Sequence, residues 1–126
     1  MLNIEKLNNY TNIYQVDCFN KEFENALSET KVNGRYHKWL RRQLNVLDSF
    51  GKDALKMEQF EKLTDINPNL YSIRHPHSKK NERVIYIYLE NDKVFLIYPF
   101  LEQNDSDYHN AISVAKKRVK FILESL

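Results

Sequence analysis

Apolar residues along this chain follow two rhythms, and the change comes near residue 70. Before it, the spacing is mostly helical. Phe19, Phe23, Ala26 and Leu27 recur at helical steps, with Asn20 as a candidate N-cap and the polar stretch Ser28 to Gly34 as a close. Tyr36, Trp39, Leu40, Gln43, Leu44 and Leu47 mark the apolar face of a second helix. Arg35, Lys38, Arg41, Arg42 and Asn45 fall mostly off that face, and Phe50-Gly51 supplies a stop. Ahead of both, Ile13-Tyr14-Gln15-Val16-Asp17 reads as a short strand, and residues 1–12 as a polar lead-in, frayed or helical. Asp53 to Leu63 is a further short helix or an ordered loop, and Asn67-Pro68-Asn69 is a turn.

After that turn the period becomes two. Leu70 to Arg74, Arg83 to Leu89 and Lys93 to Phe100 are rich in Ile, Val, Tyr and Phe and read as strands, with Glu90-Asn91-Asp92 as a tight connection. Tyr108, Ala111, Ile112, Ala115, Val119, Ile122 and Leu126 return to helical steps. Lys116, Lys117, Arg118 and Lys120 crowd the later part of that helix, where cations suit the negative end of its dipole. The order implies an α+β fold, with helices packed on one face of a small, mainly antiparallel sheet whose other face is partly open. At 126 residues the chain fits a single domain, 1–126.

Composition narrows the function classes. A lone cysteine, Cys18, cannot form an internal disulfide, and MLNIEKLNNY lacks an apolar signal core, so a cytoplasmic protein is expected. Apolar runs are too short to span a membrane. With two glycines in all, the chain has no Gly-rich phosphate loop, nucleophile elbow or dinucleotide fingerprint, so no cofactor is expected. The net charge of +2 hides two basic clusters, Arg35 to Arg42 and Arg74 to Arg83. Such clusters fit phosphate binding as well as a solvated face.

Leu70-Tyr71-Ser72-Ile73-Arg74, Arg83-Val84-Ile85-Tyr86, Val94-Phe95-Leu96-Ile97-Tyr98-Pro99-Phe100 and Tyr108 to Arg118 together resemble the RelE/HigB/ParE superfamily of type II toxin–antitoxin toxins, its HigB-like branch in particular. The resemblance covers about the last sixty residues in detail and the first fifty through element order. It implies a RelE-like fold and a toxin that cuts messenger RNA on the ribosome without metal. It also implies a cognate antitoxin as partner, one that folds across the domain, with Trp39 or Tyr36 as anchor unless they belong to the core. The alternative is a ParE-like or degenerate inhibitor that binds without catalysis.

Cleaving RNA without metal requires a base for the 2′-hydroxyl, cations for the phosphorane and an acid for the 5′-oxygen. Carried over from the resemblance, Arg83 would stabilise the transition state, with Arg74 beside it if the two strands pair; a bidentate guanidinium suits that role. The loop carrying His75, His77, Lys79 and Lys80 offers bases and phosphate-binding cations. His75 and His77 have no further ligands at matched spacing, so no metal is expected. Tyr108 is a candidate for base stacking or proton transfer that also fits the apolar stripe. His109 falls one step off the stripe, and imidazole is suited to proton transfer near neutrality. The chain departs from the family where Leu101-Glu102-Gln103 stands in place of two basic residues, which removes favourable electrostatics from the path of RNA.

Overall fold

The computed structural model describes residues 2–27, 33–64, 69–74 and 82–125. Among them lie six strands, β1 (Ile4–Lys6), β2 (Ile13–Val16), β3 (Phe60–Lys62), β4 (Tyr71–Arg74), β5 (Glu82–Leu89) and β6 (Lys93–Leu101). The helices are α1 (Phe19–Leu27), α2 (Asn33–Phe50) and α3 (Asp105–Ser125), with short 3-10 turns at Gly51–Lys56 and Glu90–Asp92. The fold is α+β: one six-stranded sheet in the order β1-β2-β6-β5-β4-β3, antiparallel throughout except where β2 runs parallel to β6.

The two outermost strands are the ones the sequence hides. The polar lead-in contains β1, whose Ile4 pairs with Val16; a three-residue edge strand with one face in water shows too little alternation to read. The segment Asp53 to Leu63 holds the 3-10 turn and then β3, whose Phe60 pairs with Ile73. Asn20 lies inside α1, and not at its cap; its Oδ1 sits 3.4 Å from Gln15 Nε2. The turn signal at Asn67-Pro68 and residues 28–32 of the closing stretch fall outside the described residues, while Asn33 and Gly34 of that stretch belong to α2.

Gly51 ends α2 as expected, and for a double reason. Its φ of +54° is left-handed, and a Cβ there would meet Asp92 Oδ2 at 2.6 Å. Asn91 and Asp92 themselves take φ of 60° and 59°, which lets a three-residue connection reverse the chain between β5 and β6.

Helices meet both faces of the sheet, which corrects the expectation of one covered face. Along β5 and β6, Val84, Ile85, Tyr86, Ile87, Val94, Leu96 and Ile97 are all fully buried, as strands covered on both sides must be. One face carries Tyr71, Tyr86 and Tyr88, packed against one another and against Phe60, with ring centroids 5.0–6.5 Å apart. Over it, the Tyr88 hydroxyl donates to the Gly51 carbonyl at 3.0 Å, at the end of α2. The other face carries Tyr14 stacked on Phe95 at 4.8 Å, and Tyr98 with the Arg118 guanidinium of α3 5.1 Å from its ring centre.

Opposite Ile85 and Tyr86 stand Tyr98 and Leu96, so Ile97 is an extra residue and β6 bulges there. Arg118 Nη1 donates to the Ile97 carbonyl at 2.9 Å, while Nη1 and Nη2 hold the Glu22 carboxylate of α1 at 2.7 and 2.6 Å. One guanidinium thus ties α1, α3 and the bulge together. The reading of Arg118 as a dipole partner is corrected: α3 runs on to Ser125 and has no basic residue in its last turn.

Candidate functional site

The register of β4 and β5 sets Arg74 directly opposite Arg83, and Arg83 opposite Phe100 of β6. Residues paired across a sheet share a face, so both guanidinium groups leave on one side. Two steps back along β4, Ser72 stands on that side as well, with Glu61 of β3 as its neighbour. These residues, with Leu63, Glu102 and Tyr108, line a cleft of about 200 Å³.

Tyr108 reaches the cleft because α3 begins at Asp105, a turn earlier than its apolar stripe suggests. Asn104 caps it: Oδ1 accepts from the Asp107 amide at 3.0 Å, and Asp107 Oδ2 accepts in return from the Gln103 amide at 2.9 Å. The cap fixes where the first turn starts, and with it the position of Tyr108.

The electrostatics of the cleft are closely balanced. Arg74 Nη1 lies 3.1 Å from Glu61 Oε2, and its Nε donates to the Glu58 carbonyl at 3.0 Å. Arg83 Nη2 lies 3.5 Å from Glu102 Oε2. Arg83 Nη1 is buried and has no hydrogen-bond partner among the described residues, an arrangement that normally costs free energy until an acceptor arrives. With a side chain 18% exposed, Arg83 is an inner-wall residue and does not stand on an open surface.

Of the sequence candidates, Arg74, Arg83 and Tyr108 therefore come together. His109 does not join them: it is exposed on α3, its ring 5.6 Å from that of Tyr108 and outside the cleft lining. His75, His77, Lys79 and Lys80 lie outside the described residues. Glu61 escaped the sequence reading because β3 is three residues long, and only its pairing with β4 brings it to Arg74. Glu102 stood out in the sequence as a negative charge after the last long strand, but its place as the partner of Arg83 needed the fold.

Trp39 and Tyr36 are buried in the core, 5% and 2% exposed, so neither offers an anchor to a partner. Among the described residues no group of three or more His, Cys, Asp or Glu could hold a metal ion, and no helix is long and apolar enough to cross a membrane. Compared with protein-family models, curated proteins and solved structures, the chain finds no match in any of the three.

Proposed function

We propose that the cleft binds a phosphodiester, and that the chain acts as a toxin of the RelE/HigB kind, a ribosome-dependent, metal-independent messenger RNA endonuclease with a cognate antitoxin as partner. The observation that carries this reading is the Arg74–Arg83 pair, held opposite each other with the buried Arg83 Nη1 lacking an acceptor among the described residues. Two rigid guanidinium forks on adjacent strands suit the non-bridging oxygens of one phosphate, and charge developing there in an in-line displacement would be stabilised most. Tyr108 supplies an aromatic ring and a hydroxyl at the same cleft, for stacking on a base or for passing a proton.

The second reading, a ParE-like or non-catalytic inhibitor, is favoured by one observation: each arginine is already matched by a carboxylate, Glu61 or Glu102. Messenger RNA 5′ ends mapped after tightly controlled induction in a bacterium separate the two. Cuts inside translated frames in wild type that vanish in Arg83→Ala are the expected outcome. Growth arrest without such cuts would sink the nuclease reading and leave the inhibitor.

A further inference from the structure

Among the described residues the cleft contains two cations and two anions, arranged as pairs: Glu61 with Arg74 at 3.1 Å and Glu102 with Arg83 at 3.5 Å. We propose that Glu102, with Glu61 in the same cleft, is a latch that excludes small free anions, so that only a ligand with contacts beyond a single anionic group can open it. The proposal rests on the reading of the cleft as a phosphate site but needs no catalysis.

The two pairs differ in how firmly they are held. Arg74 has a second tie, from Nε to the Glu58 carbonyl, and its backbone amide donates to the Gln59 carbonyl at 2.9 Å. Glu61 is also fixed within β3. Among the described residues Arg83 has only the longer contact to Glu102, which follows the last residue of β6 and precedes the cap of α3. Glu102 has no other ion-pair partner among the described residues, so its carboxylate can swing off Arg83 at the cost of one long, partly screened contact. Arg83 is the more confined partner, its side chain 18% exposed against 30% for Glu102 and its Nη1 buried.

An entering anion must replace a carboxylate that is tethered beside Arg83 and so present at high effective concentration. Inorganic phosphate offers one centre of charge and gains little beyond what Glu102 already provides. A polyanion, or a nucleotide whose base also meets Tyr108 or Phe100 at the same cleft, adds contacts that the carboxylate cannot match. Glu102 is in this sense a specificity-determining residue, and the negative charge that departs from the family pattern has a use.

The test is titration of the full chain with inorganic phosphate, followed by amide NMR at Ser72, Arg74, Arg83 and Phe100, for wild type, Glu102→Gln and Glu102→Gln/Arg83→Ala. The Gln side chain keeps shape and polarity and removes the charge. Phosphate affinity is expected to rise about tenfold in Glu102→Gln, a change equivalent to about 1.4 kcal/mol, and to be lost again in the double variant. Unchanged, lower or undetectable phosphate affinity in Glu102→Gln, with an otherwise native amide spectrum, overturns the latch. Should Glu102→Gln fail to fold, Glu102→Ala replaces it, judged by the same criterion. A tenfold gain in a protein that makes no RNA cuts would leave the latch standing and remove the nuclease reading, so the two failures are distinguishable.

Discussion

Arg118 makes the most far-reaching polar contact of any single side chain described. Its guanidinium is bidentate to Glu22, donates to the Ile97 carbonyl and lies over Tyr98, and the hydrogen bond to Glu22 is the largest cause of its raised pKa. Replacing it with alanine leaves Glu22, whose side chain is 26% exposed within the pair, without that cation. Arg118→Ala is expected to cost about 2–3 kcal/mol in urea unfolding, against about 0.5 kcal/mol or less for the neighbouring exposed Lys116→Ala. Equal midpoints for the two variants would show that the pair contributes nothing net. In the local sequence Lys116-Lys117-Arg118, Arg118 is set apart by its guanidinium fork and by its position one residue before the buried Val119.

At the scale of elements, the start of α3 and the short strand β3 build the cleft, since each brings one side chain to it that β4 and β5 cannot supply. The Asn104-Asp105-Ser106-Asp107 run holds the start of α3 through two reciprocal backbone contacts. Asn104→Ala is expected to cost about 1 kcal/mol and to fray the first turn, weakening any ligand contact through Tyr108 more than contacts through Arg74. Hydrogen exchange at residues 107 and 108 checks it: protection unchanged from wild type would mean that the cap is not what holds this turn. The apolar stripe alone pointed to a start at Tyr108, and the cap at Asn104 emerged only with the structure. β3 was not readable, because three residues carry no usable period.

Taken whole, the molecule buries a tyrosine cluster that ties its global stability to alkaline pH. Desolvation is the main cause pushing Tyr88 up to about 12 from an ordinary 10.0, and burial raises Tyr86 further still. A group whose folded pKa lies above its unfolded value stabilises the fold fully below the unfolded pKa. That contribution is lost as pH rises through the folded one, because the unfolded chain releases its proton first. Stability should therefore be insensitive to these rings up to pH about 10 and fall steeply between about 10 and 12. Tyr88→Phe should flatten part of that fall, at the cost of the bond to Gly51, in chemical unfolding followed across the range. An identical alkaline profile in the variant would rule out Tyr88 as a source.

Periodicity by itself determined most of the architecture. The three helices, the long strands β5 and β6, the stop at Gly51 and the tight turn at Glu90–Asp92 all follow from local spacing and turn chemistry, which depend only on near neighbours in the chain. Sequence also singled out Arg74, Arg83 and Tyr108, and the negative charge at Glu102. Tertiary structure alone decided that β2 lies parallel to β6, that helices cover both sheet faces, and that Glu61 and Glu102 meet the two arginines. It also left His109 outside the cleft. These are choices between distant segments, settled by register, burial and charge pairing across tens of residues, and no local pattern of apolar and polar positions encodes them.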